Sequence, residues 1–194
     1  MTISYCLMTL PPQRPARSDR TAAAILDAAA HVLAARSSAS MADIAEAASV
    51  GRATLYRYYE SRESLLDALA DKAVADAGAR LADASLDLVP VEEAIERIVR
   101  ALITVGDTYA VLVHERIETD RAAAERILGG PIRAVLARGI ESGVLRDDLP
   151  LEILTTFFGG LLTTAITLVS QRQIGLEDAS AATAGIFLRG ARTT

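Results

Sequence analysis

The sequence has no tryptophan, one cysteine (Cys6), six prolines and only 4% aromatic residues. A single cysteine excludes an internal disulfide and points to a reducing cytoplasm. Few aromatics, and no useful run of alternating polar and apolar residues, argue against a β-sandwich or barrel. Gly and Pro are few and clustered, so most of the chain is free to run through long elements. Metal ligands are scarce too. Only His31 and His114 accompany Cys6, and His114-Glu115 has no second His four residues on, so no metal site is expected. A Gly-rich phosphate loop, a nucleophile elbow and a pair of catalytic carboxylates are all missing. No cofactor and no enzymatic activity are expected. Met1–Leu10 is mildly apolar, but no basic residue leads it and Pro11-Pro12 cuts it short. It is not expected to be a signal peptide, and Met8 is an alternative start.

What is present is a helical pattern. Half of the 194 residues are apolar and alanine is abundant, enough for one sizeable core or for a small domain joined to a larger one. The net charge of −5 argues against a surface that coats nucleic acid generally. Its distribution is uneven: residues 1–65 hold seven Arg against six acidic residues, and the remainder carries a net −6. A locally neutral or basic head on an acidic body suits specific DNA binding.

Residues 1–18, with Pro11, Pro12, Pro15, Arg14 and Arg17, read as a flexible arm. From Arg20 the apolar residues recur at helical spacing: Ile25, Ala29 and Val32, flanked by Leu26, Ala30 and Leu33. A second short helix starts at Ser40, with Asp43 as capping-box partner. Ser49-Val50-Gly51 forms a tight turn into a third helix, Arg52–Tyr58. Ser61 caps a fourth, reaching about Asp83. Further helices are expected over Val91–Val105, Asp107 to about Glu118, Arg121–Leu128, from Pro131 to Ser142-Gly143, from Pro150 onward, and over about Glu177–Arg189. The fold expected is all-α, with nine or ten helices. Ile153–Gln171 is uncharged over 19 residues, near the length of a bilayer span. Its six Ser and Thr residues, the central Gly159-Gly160 and the lack of aromatic or basic anchors favour a helix buried on most sides by protein, with no membrane contact.

Two short helices joined by a small-residue turn also form plain αα-corners, but the residues here narrow the choice. Met41-Ala42-Asp43-Ile44-Ala45-Glu46 through Thr54-Leu55-Tyr56-Arg57-Tyr58-Tyr59, continued by Glu60-Ser61-Arg62-Glu63-Ser64-Leu65-Leu66, resembles the helix-turn-helix of the TetR family of transcriptional regulators. The specific match covers about residues 20–70. The loop Gly143–Pro150 is of a type common in the family. Two positions depart from the pattern: Ser49 stands where glycine is usual, and the loop before Ser40 looks short. Tyr59 replaces the usual Phe, and its hydroxyl needs a polar partner.

The resemblance implies an N-terminal three-helix head over residues 19–66, a linking helix to about residue 84, and a ligand-binding and dimerisation domain over 85–194. It implies a cytoplasmic homodimer whose partners are a double-stranded DNA operator and a small-molecule effector. The function expected is a repressor released from a palindromic operator by its ligand. A ligand-dependent activator, a corepressor-dependent regulator, and a helical ligand-binding protein or enzyme with a look-alike motif are the other readings. DNA contacts are expected from Ser40, Arg52, Ala53, Thr54, Tyr56, Arg57, Tyr58 and Arg62. Arg52 is the foremost base reader, because its fork fits guanine O6 and N7. Ser40 and Arg62 are expected at phosphates. Polar residues on otherwise apolar helices are the pocket candidates: Thr104, Asp107, Tyr109, His114, Arg116 and Glu118. The small-residue face of Thr156, Gly160, Thr163, Thr164 and Thr167, with Ala182, Gly185, Ile186 and Arg189 of the last helix, is the expected dimer surface.

Overall fold

The computed structural model describes residues 17–105 and 121–193, and among these every regular element is helical. In chain order they are α1 (Arg17–Ala35), α2 (Met41–Ala47), α3 (Arg52–Tyr58), α4 (Arg62–Asp83), a short 3-10 turn (Leu86–Leu88), α5 (Val91–Ile103), α6 (Arg121–Ala124), a π-helical turn (Glu125–Gly129), α7 (Gly130–Glu141), α8 (Leu151–Ser170) and α9 (Leu176–Ala191). The helix expected over Asp107 to about Glu118 lies outside the described residues. One correction falls at the start. Arg17, assigned to the arm from its prolines, is the first residue of α1. A first helical turn needs no apolar residue, and Asp19 there complements the helix dipole, so apolar periodicity starts later than the helix does.

Two buried clusters organise the chain. The first gathers Ile25, Ala29 and Leu33 of α1, Ile44 of α2, Leu55 of α3 and Leu65 and Leu69 of α4. The second gathers Ala77 and Leu81 of α4 with the apolar faces of α5, α7, α8 and α9, including Phe158 against Phe187 at 4.7 Å between ring centroids. Between them α4 buries only Ala70 and Ala73. One continuous helix therefore serves both cores, and its first turns belong to one and its last to the other. Lys72 ties α4 back to α1, lying 2.6 Å from Asp76 and 3.5 Å from Asp27.

The second correction concerns Gly129-Gly130. Gly129-Gly130 fall between the helices expected over Arg121–Leu128 and from Pro131, but the chain passes through them as a π turn, with the Gly130 N–H donating to the Glu125 carbonyl, while Pro131 does lie in the first turn of α7. Pro131 supplies the reason. It has no N–H to donate to the Ile127 carbonyl and its ring crowds that oxygen, so a looser turn relieves the clash without ending the helix. The loop after α7 turns at Gly143 (φ 73°), and its Arg146 N–H donates to the Ala191 carbonyl at the end of α9.

Helix α8 is long and apolar enough to cross a membrane by length and composition, and 28% of its apolar window is buried within this one chain. Leu154, Phe158, Leu162, Ala165 and Ile166 face the core. Ile153, Thr156, Phe157, Gly160 and Thr164 face outward.

Candidate functional site

The N-terminal head is fixed by local chemistry that its sequence spells out. Ser40 caps α2: its hydroxyl accepts from the Asp43 N–H, and the Asp43 carboxylate accepts from the Ser40 N–H at 2.7 Å. Arg36 lies 3.0 Å from the same carboxylate. The hydrogen bonds from Ser40, then the Arg36 charge, hold Asp43 below the ordinary carboxylate range. Ser61 caps α4 in the same way, with Ser64 as its partner. The turn between α2 and α3 places Ser49 at φ 54°, the left-handed region where glycine is usual. Tyr59 is buried and its hydroxyl donates to the Ala22 carbonyl at 3.3 Å, while burial raises its pKa.

This scaffold presents α3. Leu55 is fully buried and anchors the helix, leaving Arg52, Ala53, Tyr56 and Arg57 exposed and Thr54 half-buried. Those residues share one short surface. Tyr58 behaves differently: it is half-buried against the head's core, with the Arg57 guanidinium 5.3 Å from its ring centre. Arg62 also has partners within the head. Its Nη1 donates to the Ala39 carbonyl and its Nη2 to the Ser37 carbonyl, which fastens the α1–α2 loop to α4. Ser40 spends its hydroxyl in the α2 cap and the bond to Asp43.

In the body, α4, α5, the π turn and α8 line a cavity of about 400 Å³. Its lining includes Val74, Leu102, Leu128, Phe158 and Ile166, with Glu125 at the π turn. Thr104 is not part of it. That residue caps α5, is exposed, and donates its hydroxyl to the Arg100 carbonyl. Asp107, Tyr109, His114, Arg116 and Glu118 lie outside the described residues. The described part of the cavity wall is mostly apolar and looks like ordinary core in the sequence.

On the outer face, Thr156, Gly160 and Thr164 are exposed beside Phe157, which is 65% exposed, and Ile153. Thr163 and Thr167 are half-buried, and Thr163 also lines the cavity. Each of these threonine hydroxyls donates to the carbonyl four residues back, so what the helix shows outward is mostly methyl and backbone Cα. From α9, Ala182, Ile186 and Arg189 are exposed and Gly185 is half-buried.

A capped helix pair with an exposed second helix, joined by one long helix to a hollow helical body, defines a helix-turn-helix DNA-binding protein with a separate body domain. Comparison with known proteins narrows the class. Residues 25–69 match the family described as "Bacterial regulatory proteins, tetR family". The chain is 39% identical over 108 residues to the HTH-type transcriptional repressor LfrR of Mycolicibacterium smegmatis. That alignment spans 56% of this chain and 57% of the repressor. The crystal structure of the TetR-like regulator LfrR in complex with proflavine superposes with a TM-score of 0.75 at 30% identity, covering 90% of this chain and 99% of that one. The fatty acid degradation regulator FadR of Bacillus halodurans shares the fold, with a TM-score of 0.70 at 18% identity over 94% of this chain and all of the other. The chain belongs to the TetR family of bacterial transcriptional regulators.

Proposed function

We propose that the chain is a repressor that binds a two-fold symmetric operator as a homodimer and releases it when a small molecule occupies the body cavity. The exposed face of α3 carries this reading: Arg52, Ala53 and Tyr56 stand clear on a helix pinned by Leu55. Residues 19–66 form the reading head, α4 to about residue 84 is the link, and the rest is the sensing and pairing body. Arg52 reads guanine with its guanidinium fork, and Ala53 and the Thr54 methyl meet thymine methyls. Tyr56 and Arg57 contact the backbone. Arg62 and Ser40 act one step back by holding α2 and its loop in place, and Tyr58 packs under Arg57. The task is binding, not catalysis.

The outward faces of α8 and α9 pair the chain with a second copy, because Phe157 and Ile186 would otherwise leave an apolar patch in water. The cavity is the effector site. Its size suits a compact ligand, it touches α4, and LfrR binds proflavine. Selection of binding sites from random duplex DNA tests the reading. A pseudo-palindrome is expected, and Arg52→Ala is expected to cost about 1–3 kcal/mol on it and to relax preference at one base position per half-site. Loss of affinity for random DNA equal to the loss on the selected site would remove Arg52 from base reading.

A further inference from the structure

The connection from α4 to α5 spans residues 84–89, and two arginines of the body hold it by its carbonyls. Helix α4 is capped at Ala84, Ser85 turns the chain through the left-handed region (φ 51°), and Val89 leads into Pro90 at the start of α5. Arg97 of α5 donates Nη1 to the Ala84 carbonyl at 2.7 Å, and its Nη2 is steadied by Glu93 Oε1 at 2.8 Å. Arg138 of α7 donates Nη2 to the Leu86 carbonyl at 2.9 Å and to the Val89 carbonyl at 3.1 Å. In a loose linker water would satisfy these carbonyls. Here two half-buried cations, on two different helices, do so instead.

The place of the head depends on the angle fixed at this connection. Helix α4 has 22 residues and is about 33 Å long, so a tilt of about 5° at one end carries the other by about 3 Å. That is the whole reach of a hydrogen bond, enough to part the side chains of α3 from the groups they would meet. Ala77, Leu81 and Leu86 pack α4 and the connection into the body core, but apolar contact has no preferred direction. Further along, α4 buries Ala70 and Ala73, whose side chains are single methyl groups. Hydrogen bonds from charged donors do have a direction, and they weaken steeply when bent.

Resting on the reading of α3 as the operator-binding helix, we propose that Arg97 and Arg138 are positioning residues for DNA recognition. They make the connection between α4 and α5 a fixed joint, which sets the direction in which the body holds the head. The test reads that direction with no DNA and no ligand present. In a Cys6→Ser background, which leaves no other cysteine, spin labels are placed at Glu46→Cys of α2 and Glu152→Cys of α8, both exposed positions. Labelled full chain is mixed with excess unlabelled chain, so that distances within one chain are read whatever its oligomeric state. The parent is expected to give a single narrow distance distribution by double electron–electron resonance. Arg138→Met keeps the apolar stem and is expected to broaden the distribution into several components, with helix content and cooperative unfolding retained. Arg138→Lys, with one charged donor for two carbonyls, is expected to fall between. Arg97→Met releases the Ala84 carbonyl, is expected to broaden the distribution as well, and serves if Arg138→Met does not fold. In the unlabelled variants, affinity for the selected operator is expected to fall about 3- to 10-fold, since only chains with the head in place bind it. A distribution as narrow in the folded variants as in the parent would overturn the proposal and leave the arginines a role in stability alone. Broadening with unchanged operator affinity would overturn it too, because the direction of the head would then not govern recognition. A parent that selects no DNA site would overturn the reading of α3 and the DNA role of the joint with it.

Discussion

Single residues in the head were legible wherever their role is local. Ser40, Asp43 and Ser61 announce caps because a hydroxyl or carboxylate three residues from a free N–H has one obvious partner. Ser49 was legible as a left-handed turn residue through the resemblance. The contacts that Arg62 and Tyr58 make within the head were not legible. The first bonds carbonyls 23 and 25 residues away, and the second turns half into the core, both matters of tertiary geometry. Asp43 allows a test at this scale. Its folded pKa is depressed, so the unfolded chain binds the extra proton as acid is added. The stabilisation from its hydrogen bonds and from Arg36 is thus present above the ordinary carboxylate value and lost as pH falls below about 4. Asp43→Asn is expected to unfold with a shallower dependence of denaturation midpoint on pH in that range than wild type, measured by urea titration. Equal slopes would remove Asp43 from the acid response.

At the scale of elements, the short helices α2 and α3 and the cap of α4 follow from spacing and punctuation. The cavity does not, because helices α4, α5 and α8 show the same apolar faces whether or not they close completely. The π turn was also hidden, since Gly-Gly-Pro reads equally as a break. That turn touches two things at once. Glu125 and Leu128 line the cavity, while Ile127 sits on Gly78 of α4, where an added Cβ would collide with the Ile127 Cγ2. The helix bearing the reading head is thus notched to receive the wall of the cavity. Gly78→Ala is expected to force the turn and α4 apart, to cost about 1–3 kcal/mol of stability by overpacking, and to shift proflavine affinity and operator affinity together. Thermal denaturation and the two binding assays check this. An unaltered operator affinity in a variant with altered proflavine affinity would show that the contact carries no signal.

For the whole molecule, the all-helical class was legible from composition and spacing, and the family from the motif. The extent to which α8 stands uncovered was not, because an apolar helix reads as buried whether its cover is its own chain or another. Gly160 lies in the exposed face with nothing near the place of its Cβ, so it tolerates a side chain in the lone subunit but not beneath a partner. Gly160→Arg is expected to sediment as a 20.5 kDa species while wild type sediments at twice that mass, and to lose operator binding with the fold intact by circular dichroism. A Gly160→Arg protein that remained paired would move the interface elsewhere. The exposed α8–α9 face has a consequence for dosage. If only joined heads grip DNA, promoter occupancy in dilute cells follows the square of the number of chains made, and halving expression cuts the gripping species to about a quarter, by mass action. A weak seam between subunits would then set a threshold in copy number, below which the regulated promoter stands open with no ligand present.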